Sequence, residues 1–235
     1  SSILEKMVYI TIPETQEELE AQKGKKMVQL LDPRFLSTPG FALEQCKNAA
    51  LDMAEYTREA LFLAIQMFDT LDEKSAERVI ELENIVDHYD DEIGSYLVKL
   101  SGRDLSEDDS NEVTKLLKLI NDFERIGDHA VNILESAEEL KEKEIEFTPA
   151  ASAELRVLGD AVGEIIDLSM KAFKENDLEA AAKVESLEQV VDGLKEQMRT
   201  RHILRLTQGG CTVDAGFVWS DLLTNLERVS DHCSN

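Results

Sequence analysis

Eight acids stand out by type and spacing. Glu83 and Asp87, Glu124 and Asp128, Glu188 and Asp192, and Glu227 and Asp231 form four Glu-x-x-x-Asp pairs. Four residues apart on a helix, two side chains share a face one turn from each other. Two carboxylates so placed repel, and in an apolar setting they need a cation, a hydrogen-bond network or a proton. The neighbours place them in such a setting. Glu83 is bracketed by Val79, Ile80 and Val86, Glu188 by Val184 and Val191, Glu124 by Leu117 and Val131, and Glu227 adjoins Leu223. At helical periodicity these acids lie on or beside the apolar stripe, with no Lys or Arg expected on the same face. Converging carboxylates of this kind describe a site for a hard cation such as Fe, Mn, Mg or Ca. Gly127 and Ser230, inside two of the pairs, are small enough to permit close approach. The competing reading is a solvated acidic seam, because Asp and Glu supply 49 of the 235 residues. Four pairs in equivalent places favour the metal.

The equivalence comes from an internal duplication. A shift of 105 residues carries Met53–Asp87 onto Leu158–Asp192 without a gap, matching Glu59 with Glu164, Phe68 with Phe173, Leu82 with Leu187 and Glu83 with Glu188. A shift of 103 carries "NDFERIGDHAVN" onto "TNLERVSDHCSN". Each copy reads as three helices, which gives an all-α protein of two tandem three-helix bundles, residues 38–145 and 146–235. Thr38-Pro39 and Thr148-Pro149 open the first helix of each copy, Ser106 caps the third helix, and "SGRDLSEDD" and "TQGGC" are breaks. A short loop between the second and third helices makes them antiparallel neighbours. Glu83, Asp87, Glu124 and Asp128 should therefore meet, and so should Glu188, Asp192, Glu227 and Asp231.

Residues 1–37, with a β-branched run at Val8–Ile12 and a charged stretch from Glu14 to Lys26, read as a linker or docking segment. The last helix stops at Asn235 without a terminator, so the second bundle is expected to be truncated and the chain to be cut from a longer one.

The other residues narrow the function. A formal charge of -24 argues against nucleic-acid or anionic-membrane binding. Cys46, Cys211 and Cys233 form no CxxC pair, which suits a reducing compartment. The stretch "ALFLAIQMF" falls far short of the ~20 apolar residues a span requires, so no membrane insertion of this segment is expected. None of the four histidines has a Glu three residues before it, as a di-iron oxidase would require, and no phosphate loop, nucleophile elbow or Cys/His dyad is written. An enzyme is not expected. By the same wheel, Arg125 and Arg228 are expected to form salt bridges, and His88, His129 and His232 to turn away from the acids. His202 lies on the apolar face of the fifth helix but belongs to no shared cluster. Trp219 reads as core.

At "NDFERIGDHAVNI" and "NLERVSDHCSN", within a duplicated three-helix unit, the chain resembles the PhoU family of phosphate-uptake regulators over about residues 40–235. That resemblance implies multinuclear metal clusters, most often iron (with Mn, Mg, Zn or Ni as alternatives), on the eight acids named above and on no other residue. The stretches "LLDPRFLSTPGFALEQC" and "RTRHILRLTQGGC" further resemble the cytoplasmic PhoU-like tail of bacterial sodium/phosphate cotransporter proteins. This implies a regulatory domain at the cytoplasmic face of the cell membrane, attached to or associated with a transporter, and a possible homodimer. His88 and Tyr89 follow Asp87 where Gly193 and Leu194 follow Asp192, so the two sites need not be equivalent. A structural dimerisation bundle with idle acids remains the alternative.

Overall fold

The computed structural model describes residues 31–235. After a 3-10 turn at Pro33–Ser37 come six helices: α1 (Pro39–Gln66), α2 (Glu73–Ser101), α3 (Glu107–Glu142), α4 (Pro149–Glu175), α5 (Leu178–Thr207) and α6 (Val213–Ser234). Each start has a local cause. Asp72, Ser106, Thr148, Asp177 and Thr212 accept the first free backbone N–H groups of their helices. Thr38 occupies the cap position of α1, but its side chain makes no capping bond. Instead α1 is entered directly from the 3-10 turn, whose Leu36 is buried and whose Asp32 carbonyl accepts from the Tyr96 hydroxyl at 3.0 Å. That much of the expected linker packs on the bundle, and residues 1–30 lie outside the described region. Asn176, in the left-handed region at φ 51°, stops α4.

Helices α1, α2 and α3 pack together as one bundle and α4, α5 and α6 as another, and α3 against α6 and α1 against α4 join them. The all-α duplicated architecture is as the sequence implies. The buried side chains form one continuous core from Leu31 to Cys233, so the two bundles share an interior. Alanines 42, 49, 50, 54, 60 and 64 line the buried face of α1, which keeps it thin between its neighbours. Gly159 and Gly163 let α4 reach α1, since a Cβ at either would stand 3.0 Å from Ile65 or Phe62. Arg58 of α1 pairs with Asp167 of α4 at 2.5 Å, and Arg156 of α4 pairs at 2.7 Å with Asp69 in the turn after α1. No described helix is long and apolar enough to cross a membrane.

Candidate metal centre

In the first bundle, α2 supplies Glu83 and Asp87 and α3 supplies Glu124 and Asp128. The helices pack closely at Gly127, where an added Cβ would touch Val86 Cγ1 at 3.4 Å. Burial raises the Glu83 carboxyl above its ordinary value, and the charges of Asp128 and Asp87 raise it further. Burial also raises Glu124, reinforced by Asp128 and relieved in part by Arg125. The four expected acids therefore act on one another electrostatically, but no three of them bring ligand oxygens within 4.8 Å of one another.

A fifth acid joins them. Asp90 is raised by burial and then by Asp91 and Asp87, and its charge in turn raises Glu124. It stands one turn beyond Asp87 on the same helix face, a spacing readable in the sequence. The duplication concealed it, because the aligned residue of the second copy is Lys195.

The second bundle gathers its acids more tightly. Glu188 and Asp192 of α5 and Asp231 of α6 each offer an oxygen within 4.8 Å of the others. Burial raises Glu188, followed by the charges of Asp192 and Asp231. Asp231 is raised by burial and Glu227 and lowered by Arg228. Glu227 departs from the expected set. Its Oε1 lies 2.6 Å from Lys195 Nζ, and its Oε2 is buried without a hydrogen-bond partner. The expectation that no Lys shares the face with these acids is thus corrected: Lys195, one turn past Asp192, reaches across to α6.

Arg125 and Arg228 form salt bridges, as expected, but their partners are the paired acids. Arg125 lies 3.4 Å from Glu124 and 3.2 Å from Asp128, and Arg228 lies 3.0 Å from Asp231. Both are about half exposed, so each screens the rim of its site without filling it.

His129 and His232 turn away from the acids, yet neither faces open solvent. They stand between α3 and α6 with ring centroids 5.7 Å apart. His129 Nδ1 donates to Asn225 Oδ1 at 2.9 Å, and Asn132 approaches the same oxygen at 3.4 Å. In the mirror arrangement His232 Nδ1 and Asn235 Nδ2 donate to Asp122 Oδ1, at 2.9 and 3.1 Å. Each imidazole directly follows a paired aspartate in sequence, so the inter-bundle contact begins where each acid site ends. Burial lowers the His129 imidazole, offset in part by the Asn225 bond.

His202 does belong to a cluster, though not to the acids. It is 5% exposed, stacks on Trp219 at 5.6 Å and neighbours Arg205, whose Nη1 donates to Glu154 at 3.0 Å. The equivalent residues of the first bundle are Leu97, Leu116, Leu100 and Ala49, all buried and apolar. A wide cleft between α1 and α4, lined by Phe62, Phe147, Leu155 and Leu226, touches none of the eight paired acids.

An oxygen-only donor set, partly buried and raised first by burial and then by mutual repulsion, fits a hard cation. The PhoU domain pattern matches residues 50–137 and 155–235, one stretch in each bundle. The chain belongs to the PhoU family. Its similarity to the Thermotoga maritima phosphate-specific transport system accessory protein PhoU homolog 1 is 28% identity over 196 residues, covering 80% of this chain and 81% of that protein. The Clostridium acetobutylicum PhoU homolog is 24% identical over 82% of this chain and 88% of its own length. In fold, the chain is similar to PhoU from Pseudomonas aeruginosa, with a TM-score of 0.77 at 22% identity, covering 82% of this chain and 92% of that one. The Streptococcus pneumoniae phosphate transport regulatory protein PhoU gives 0.74 at 18%, covering 84% and 92%. These relatives are named as accessory or regulatory proteins of phosphate transport.

Proposed function

We propose that this PhoU-family protein regulates phosphate uptake by holding metal ions at its paired carboxylates and acting on a phosphate transporter at the cytoplasmic face of the membrane. The relatives, named as accessory proteins of phosphate-specific transport, support the regulatory part. The observation that supports the metal part is that partly buried, mutually repelling acids stand on the paired helices of both bundles, with Glu188, Asp192 and Asp231 offering oxygens within 4.8 Å of one another. A bound ion would supply the positive charge these acids lack. The chain's own residues then do the positioning: α2 and α3, or α5 and α6, are drawn together across each site. Iron is the metal the family resemblance favours, with Mn, Mg, Zn and Ni as alternatives.

The transporter is either the phosphate-specific system of the relatives' names or a sodium/phosphate cotransporter. The relatives' names support the phosphate-specific system, and the resemblance of Leu30–Cys46 and Arg199–Cys211 is what supports the cotransporter as the alternative. Co-purification with each transporter separates the two.

Elemental analysis of protein purified without chelator tests the metal. Glu124→Ala is expected to reduce metal content and to alter phosphate transport. Protein that holds no transition metal, together with unchanged transport in Glu124→Ala, would overturn the proposal in favour of a structural bundle with idle acids.

A further inference from the structure

The cleft between α1 and α4 takes no part in the acid sites. Its volume is about 1140 Å³, above the ~300–1,000 Å³ of a typical small-molecule pocket. Phe62, Ile65, Phe68, Leu71, Phe147 and Leu168 line it, and each is only half-buried. A contiguous apolar lining left open to water marks a place where something else packs. The duplication does not dictate this lining. The shift of 105 residues exchanges α1 with α4. It turns Phe62 and Gly163, which pack together, into Asp167 and Arg58, an ion pair, and it turns Leu71 into Asn176. The apolar character therefore belongs to one side of the α1–α4 crossing.

The rim is charged, and unevenly. Arg156 and Lys171 are already paired, with Asp69 and Asp177. Glu146, Asp160 and Glu164 also line the cleft, and all three are exposed without an ion-pair partner among the described residues. Lys141 is the one lining cation left unpaired there. Asp160 and Glu164 stand four residues apart on α4, a spacing at which like charges repel. With a whole-chain charge of -24 behind it, this rim attracts a basic partner and repels an anionic membrane surface.

We propose that the cleft is the docking groove for a cytoplasmic segment of the phosphate transporter, one that carries apolar anchors flanked by Lys and Arg. The inference rests on the transporter part of the proposed function and is independent of the metal. Cytoplasmic loops of membrane proteins carry an excess of Lys and Arg, which supplies the charge the rim lacks. An amphipathic helix docks by laying its apolar face into a hydrophobic groove. Here Phe68 and Leu71, just after α1, offer one side of that groove, and Leu168 of α4 offers the other. Because α1 belongs to one bundle and α4 to the other, the docked segment touches both at once.

The test measures binding of the intact chain to each of the two candidate transporters, purified in detergent, across a range of salt concentrations. Phe68→Ala and Leu71→Ala are each expected to weaken binding roughly thirtyfold, as the loss of a buried anchor does. Asp160→Lys/Glu164→Lys alters only exposed residues, so it serves even if an anchor variant folds poorly. It is expected to weaken binding and to flatten its salt dependence. Asp104→Lys/Glu107→Lys makes the same change of charge at the far end of α3 and is expected to bind as the intact chain does. Binding that survives both the anchor and the rim variants overturns the groove and leaves the transporter reading standing. An intact chain that binds neither transporter overturns both. If the same variants instead abolish binding to transporter-free phosphatidylserine vesicles, or dissociate a dimer of this chain, the occupant is a lipid surface or a second copy, and the proposal falls.

Discussion

At the scale of single residues, the acids are held in a state that costs the folded chain stability. Glu83, Glu124, Glu188 and Asp231 are all raised, first by burial and then, in each case, by like charges. A carboxyl raised in the folded state takes up its proton at a higher pH there than in the unfolded chain. Its stabilising contribution is complete below the ordinary values of 4.5 and 3.8 and is lost as pH rises through the folded value. The helix caps Asp72 and Asp177 act in the opposite sense, being lowered by their hydrogen bonds. A paired comparison cancels them. Metal-free protein should be more stable relative to its Glu83→Gln/Glu124→Gln variant at about pH 5 than at about pH 7. Urea denaturation at the two pH values measures this. With metal bound the trend should reverse, because the ligands are the ionised carboxylates.

At the scale of helices, the second bundle exchanges an apolar layer for a polar one. Where Ala49, Leu97, Leu100 and Leu116 pack in the first, Glu154, His202, Arg205 and Trp219 meet in the second. Glu154 and Arg205 are 13% and 15% exposed, so removing one leaves the other charged and nearly dry. Glu154→Ala should cost roughly 3 kcal/mol of stability. Adding Arg205→Leu, which copies Leu100, should recover most of that loss, since a well-packed apolar pair is no worse than a buried ion pair. Chemical denaturation of the single and double variants checks both statements.

At the scale of the whole molecule, the two bundles are joined through the α3–α6 contact. Asp122, 7% exposed, is the shared acceptor for His232 and Asn235, and Asn225 plays that part for His129. Asp122→Ala would leave His232 Nδ1 and Asn235 Nδ2 without their acceptor and should cost about 1–3 kcal/mol. Asp122→Asn, which makes the two halves alike, should cost less than the alanine change. Thermal unfolding ranks the two. Chelation should lower the melting temperature of metal-loaded protein by mass action. That shift should be larger where the inter-bundle contact is intact.

Much of this protein was written in one dimension. The two-residue caps, the 3.6-residue apolar stripe and the shift of 105 residues fixed six helices, two bundles and the eight paired acids, because helix geometry and duplication are properties of spacing. What spacing cannot carry is contact between helices far apart in the chain. Asp90 went unnoticed because its repeat mate is Lys195, and Lys195 matters only once α5 and α6 bring its Nζ within 2.6 Å of Glu227. The imidazoles of His129 and His232 look outward on an isolated helical wheel. The second bundle supplies the surface they face, so the same direction that means solvent on one helix means an interface in the folded protein.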